Sequence, residues 1–165
     1  MATAIFFASS TGNSEEIANK IASKLGDIEV FDLAGTKIEK INNYDKIILG
    51  GSTWGDGELN DDWEDVWGNF CKLDLSNKTI ALFGLGDQES YSDEFCSALG
   101  IIYEQVISKG AKIVGFTSID TYTHDGSKAQ IDDKFVGLVI DEDNQSDLTD
   151  ERIENWVNDI KKEIL

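Results

Sequence analysis

Apolar residues follow two rhythms along this chain, short continuous runs and stretches spaced three or four apart, and the two alternate. Ala4-Ile5-Phe6-Phe7 is a continuous run that reads as a buried strand, whereas Glu15 to Leu25 carries Ile17, Ile21 and Leu25 at helical spacing. The same alternation predicts strands over Ile28 to Leu33 and Lys46 to Ser52, a helix over Asp61 to Cys71, a strand over Thr79 to Leu85 and a helix over Asp93 to Ser108. Lys112 to Ser118 and Lys134 to Ile140 follow as strands, and a last helix runs from about Asp150 to Ile164. Its apolar face is Ile153, Trp156, Val157, Ile160 and Ile164, with Thr149 as the expected cap. Ile47-Ile48-Leu49, Ile80-Ala81-Leu82-Phe83 and Ile113-Val114 lack polar alternates, the mark of strands covered by helices on both faces. With right-handed crossovers this predicts a doubly wound α/β sandwich around a parallel sheet, whose ligands sit at the carboxyl ends of the strands.

Three such strand ends carry unusual residues. After the first strand, the hydroxyls of Ser9, Ser10, Thr11 and Ser14 surround Gly12 and Asn13 at the start of a helix. Unpaired N-H groups and the positive end of a helix dipole converge there, which suits a phosphate. Asn13 stands where a Walker-type loop needs lysine, so a nucleotide triphosphate with its metal is not the expected ligand. The turn is either a phosphate site built from neutral donors or simply a polar, well-capped helix start. After the third strand, Ser52 to Leu59 puts Trp54 in a loop, and after the fourth, Gly84-Leu85-Gly86-Asp87 leads to Tyr91. Two aromatics on neighbouring loops can sandwich a planar ring, at roughly 1 to 3 kcal/mol per stacked face by analogy with base stacking; each could also be an ordinary packing residue.

Composition narrows the picture. A chain of 165 residues with 41% apolar content is long and apolar enough for one domain with a proper core. No run approaches a membrane span and no basic segment leads into a signal-like stretch, so a cytoplasmic monomer, away from membranes, is expected. Cys71 and Cys96 have neither a disulfide framework nor metal-ligand spacing and are expected as small residues inside helices; His124 is expected at the surface. A formal net charge of -18 argues against nucleic acid by repulsion and favours a basic protein partner. The acids cluster, as Asp56, Glu58, Asp61, Asp62, Glu64 and Asp65 and again from Asp141 to Glu151. Such runs are usually solvated faces; these lie beside the candidate loops.

Ser9 to Ser14, Thr53-Trp54-Gly55-Asp56-Gly57, and Gly86-Asp87-Gln88 with Tyr91 resemble the corresponding loops of the flavodoxins, over nearly the whole chain. The closing segment Phe135 to Gln145 is similar to that of the long-chain members, whose fifth strand is interrupted by an insertion. The resemblance implies one FMN-binding domain over 1–165, with a flavodoxin-like five-stranded parallel sheet in the order 2-1-3-4-5 and helices on both faces. The insertion would lie at about 119–133. It implies a low-potential carrier that binds FMN non-covalently and moves one electron at a time between a flavodoxin reductase and acceptor or donor redox enzymes, the partners presenting basic faces.

Carried over by position, Ser9, Ser10, Thr11, Gly12, Asn13 and Ser14 hold the phosphate, and Trp54 and Tyr91 flank the isoalloxazine. Ser52, Thr53, Gly55, Asp56 and Gly57, with Leu85, Gly86 and Asp87, border its polar edges, and Asp143 reaches the ribityl chain. The sequence departs from the family at Ser52, where many members have proline. A carboxylate about 10 Å from a reducible ring, at an effective dielectric near 20, opposes added negative charge by roughly 1.7 kcal/mol, about 70 mV for one electron. The alternative on the same fold is an FMN-dependent NAD(P)H quinone or nitro-compound reductase. A phospho-acceptor receiver domain would need acids after the first strand, where Ala8-Ser9-Ser10 stands instead.

Overall fold

The computed structural model describes residues 3–9, 12–26, 28–54 and 58–165, apart from the side chain of Trp54. The first strand, β1 (Thr3–Ala8), leads to helix α1 (Asn13–Leu25) and strand β2 (Glu29–Asp32). A short 3-10 turn at Ile38–Asn43, which the sequence pattern did not announce, buries Ile38 and Ile41 before β3 (Lys46–Trp54). The chain then forms β4 (Glu58–Leu59), α2 (Asp61–Phe70), β5 (Thr79–Leu85) and α3 (Ser97–Ser108). Five short strands follow: β6 (Lys112–Val114), β7 (Thr117–Ser118), β8 (Gln130–Ile131), β9 (Lys134–Phe135) and β10 (Leu138–Ile140). A four-residue helix α4 (Glu142–Gln145) and the long α5 (Thr149–Ile164) close the fold.

β2, β1, β3 and β5 are parallel neighbours in that order, and β6 and β10 share the far edge of β5. β6 pairs with residues 79–81 and β10 with residues 83–85, so together they are two halves of one fifth strand. Side chains alternate across this sheet. Ala4, Phe6, Ala8, Leu49 and Leu82 pack toward α2 and α3, while Ile5, Phe7, Ile48 and Phe83 pack toward α1 and α5. Each face is dry, which explains why the strands carry no polar alternates.

The interruption of the fifth strand spans residues 115–137, wider than the expected 119–133. Gly115 turns the chain out of the sheet at φ 88°, and β7, β9 and β8 form a separate antiparallel sheet. Neither Lys112 to Ser118 nor Lys134 to Ile140 is therefore one strand. The predicted helix over Asp93 to Ser108 begins only at Ser97, because Cys96 takes a left-handed φ of 54° after a 3-10 turn at Ser92–Glu94. Cys96 is thus a buried residue ahead of a helix, and Cys71 lies just past α2. Thr149 is the first residue of α5 rather than its cap, and its buried Oγ1 has no partner among the described residues. His124 is no plain surface residue. Its ring packs 5.3 Å from Phe95 and 5.0 Å from Phe135, and Nε2 lies 2.6 Å from Gln130 Oε1.

Candidate functional site

The carboxyl ends of β1, β3 and β5 lie side by side, and the order of strands reverses between β1 and β3: the connection from β1 runs to β2, and that from β3 runs the other way to β5. α1 begins over this point. Gly12 precedes it at φ 89°, a left-handed conformation that suits glycine, and among the described residues, its chain neighbours aside, no atom lies within 4 Å of where a Cβ would stand. Its N-H donates to Ser9 Oγ at 2.9 Å, and its carbonyl accepts the first helical bond from Glu16 N at 3.1 Å. The amides of Asn13, Ser14 and Glu15 therefore have no acceptor within the helix, as at any helix start. Ser14 is buried, with its Oγ 3.0 Å from Ser52 Oγ, so the first and third strand ends are joined hydroxyl to hydroxyl. Ser52 thereby takes a role that proline could not fill. The first base in α1, Lys20, is engaged by Asp150 at 3.0 Å and Glu16 at 3.6 Å, and the Asp150 hydrogen bond raises its pKa.

Thr53 pairs with Leu59 across the β3–β4 hairpin, and its Oγ1 accepts a hydrogen bond from Ala98 N at 3.1 Å. Ser10, Thr11, Gly55, Asp56, Gly57 and the side chain of Trp54 lie outside the described residues. Leu85 is buried in β5, level with Ser52 and Ile140, and the Gly86 amide donates to Ile140 O at 3.1 Å. Tyr91 is 48% exposed, so an aromatic face is open at this edge. Its N-H donates to Asp87 O at 3.0 Å, closing the loop that carries it.

The Asp87 carboxylate organises that loop from inside. Burial alone would raise its pKa, but hydrogen bonds from Ser90 N (2.9 Å), Asn144 Nδ2 (2.8 Å) and Glu89 N (3.1 Å) outweigh burial and hold it below the usual value. Asp143 is exposed on α4, and partial burial together with the charges of Asp87 and Asp141 raises its carboxyl. Asp141 departs from the expected solvated acidic face. It is fully buried and accepts from Gln88 N at 3.1 Å, Asn144 N at 3.1 Å and Asn144 Nδ2 at 2.9 Å. Gln88, Asp141 and Asn144 are site residues that sequence reasoning missed; the signal was Asp141 itself, an acid continuing directly from three buried strand residues and capping the turn that follows. A second acidic group starts α2, where burial and then Asp32, Asp65 and Asp61 raise Asp62.

Fold and site define a class: a doubly wound α/β protein that offers, at a topological switch point, a helix start whose first amides have no acceptor within the helix and, at the same sheet edge, an exposed aromatic loop. The family described as Flavodoxin matches residues 5–156 of the chain. A flavodoxin of Helicobacter pylori is 49% identical over 157 residues, which cover 95% of this chain and 94% of that protein. One of Picosynechococcus sp. is 46% identical over 160 residues, with the same coverage. Among solved structures, Fusobacterium nucleatum flavodoxin bound to flavin mononucleotide superposes with a TM-score of 0.93 at 33% identity over the whole of both chains. This chain belongs to the flavodoxin family, itself a standard example of ligand binding at a strand-order reversal.

Proposed function

We propose that the chain binds FMN non-covalently at this edge and serves as a low-potential, one-electron carrier in the cytoplasm between a flavodoxin reductase and acceptor redox enzymes. The carrying observation is that the α1 start and the chain leading into the Asp87 to Tyr91 loop share one carboxyl edge, with Ser14 bonded to Ser52 and Ser52 level with Leu85. The amides at the α1 start, without an acceptor in the helix, are neutral donors that fit a phosphate, the mutually bonded Ser14 and Ser52 hydroxyls lie beside them, and Gly12 leaves room for it to approach. Tyr91 offers an open face for a planar ring, with Trp54 its proposed counterpart across the ring. Bound FMN supplies the redox chemistry, accepting and releasing electrons singly. The residues of the chain bind and orient it, and the acids at this edge, Asp87 and Asp143 among them, oppose the uptake of further negative charge.

The test is titration of the apoprotein with FMN, followed by stepwise reduction under potentiometric control. A stoichiometric yellow complex reduced in two separable one-electron steps at low potential is expected. A chain that stays colourless would end this reading, and steady NADPH oxidation without an added reductase would favour the reductase alternative.

A further inference from the structure

The loop from Gly86 to Tyr91 is held from two sides, and one of them is the segment that interrupts the fifth strand. Gln88 is 2% exposed, and its Oε1 accepts from Thr123 N at 2.6 Å and Thr123 Oγ1 at 3.2 Å. A main-chain N-H can only donate, so that contact fixes the orientation of the amide. From the other side, Gln88 N donates to Asp141 Oδ2, and Asn144 Nδ2 bridges Asp141 and Asp87 at 2.9 and 2.8 Å. The same segment is bonded to the chain just downstream of Tyr91. Asp125 N and Gly126 N both donate to Ser92 O at 2.8 Å, Phe95 N donates to Gly126 O at 3.1 Å, and Lys128 N donates to Ser97 Oγ at 3.1 Å. A Cβ on Gly100 would stand 2.3 Å from the Lys128 backbone, so α3 and the segment meet main chain to main chain.

We propose that segment 115–137 is a support for the cofactor loop, with Gln88 as its positioning residue: Thr123 and Asp141 clamp Gln88 from opposite sides and set the backbone of Gly86 to Tyr91 before FMN arrives. This rests on the reading that the loop faces FMN. A loop ordered in the apoprotein loses less conformational freedom on binding, and the saving appears as affinity. The segment thus acts on the cofactor without touching it.

Gln88→Met keeps the side-chain volume and removes the acceptor, while Thr123, being exposed, returns its N-H to water. The variant apoprotein is expected to bind FMN about tenfold more weakly, the worth of one well-placed hydrogen bond. Its amides from 87 to 91 should exchange with deuterium faster than in the parent, by a larger factor than the amides of the core strands β1 and β3. Thr123→Val loses only the longer hydroxyl bond and should match the parent in both readouts. Asn144→Ala acts from the opposite side and should repeat the weaker binding and faster exchange even if Gln88→Met folds poorly. Parent-like affinity and parent-like exchange in both Gln88→Met and Asn144→Ala would overturn the support while leaving the FMN reading intact. A parent that takes up no FMN would overturn that reading first, and the support with it.

Discussion

Ser14 stands at the second position of α1 with its hydroxyl buried against that of Ser52, and its main-chain N-H has no helical acceptor. Removing the hydroxyl costs the apoprotein one neutral hydrogen bond, about 1 kcal/mol, whereas a hydrogen bond to a charged group such as phosphate is worth about 1.5 to 3 kcal/mol. Ser14→Ala should therefore loosen FMN more than it destabilises the apoprotein, as compared by FMN titration and urea unfolding; equal losses would mean that Ser14 serves the fold and not the phosphate. Asp143 carries a different sign. Partial burial and the facing carboxylates of Asp87 and Asp141 raise its pKa, so ionisation is less favourable in the folded chain than in the unfolded one. An acid shifted upward destabilises the fold where it is ionised, a penalty absent below the unfolded pKa of about 4. The Asp143→Asn apoprotein should then be slightly more stable than the parent at pH 7, by no more than about 0.5 kcal/mol because the group is exposed. The difference should close as pH falls toward 4, and a difference independent of pH would remove the charge explanation.

At the scale of elements, the junction between β6 and the interrupting segment depends on α5. Trp156 Nε1 donates to Gly115 O at 2.8 Å, and a Cβ on Gly115 would stand 2.6 Å from that same nitrogen and 3.0 Å from Ile160 Cγ2. With φ at 88° as well, Gly115→Ala combines backbone strain with overpacking and should cost about 2 to 4 kcal/mol in urea unfolding of the apoprotein. A loss below about 1 kcal/mol would mean that α5 yields. This junction also marks the limit of what the sequence discloses. Continuous apolar runs reveal β1, β3 and β5 because burial on both faces leaves no other pattern, and the 3.6-residue spacing of α1 and α5 is equally plain. The apolar pattern conceals the split strand, because two- and three-residue strands cannot display a period, and the split is legible only through the family resemblance; α3 starts late because a backbone turn at Cys96 leaves no mark in hydropathy. In the site, hydroxyls around Gly12 and the exposed Tyr91 are readable as chemistry. Asp141 is not, since a buried carboxylate satisfied by Gln88 and Asn144 has the same letter as the solvated acids beside it.

At the scale of the molecule, charge at the ends of α2 and α5, and at the last turn of α1, follows the direction of the sheet. The acids Asp61, Asp62 and Glu64 open α2, and Asp150 and Glu151 open α5, so both groups sit at the carboxyl edge. Lys46 and Lys112 begin strands, while Lys24, Lys161 and Lys162 occupy the last turns of α1 and α5, at the amino edge. The placements on helices have a local cause, because helix dipoles favour acids at their starts and bases at their ends. Since every helix of a doubly wound sheet starts at the carboxyl edge, those local preferences add into one field over the cofactor face, on a chain of net charge -18. A basic redox partner approaching that face would be turned toward it before contact, so the rate of association should carry most of the effect. Raising salt from about 0.1 M to 1 M shortens the Debye length from about 10 Å to 3 Å and should slow association steeply. Asp61→Asn combined with Glu64→Gln should slow it at low salt and flatten its salt dependence, whereas Lys161→Gln combined with Lys162→Gln should leave it at the parent rate or above. Stopped-flow electron transfer from a basic reductase measures this, and a rate indifferent to salt, or equal slowing by both pairs of substitutions, would show that the field does not guide docking.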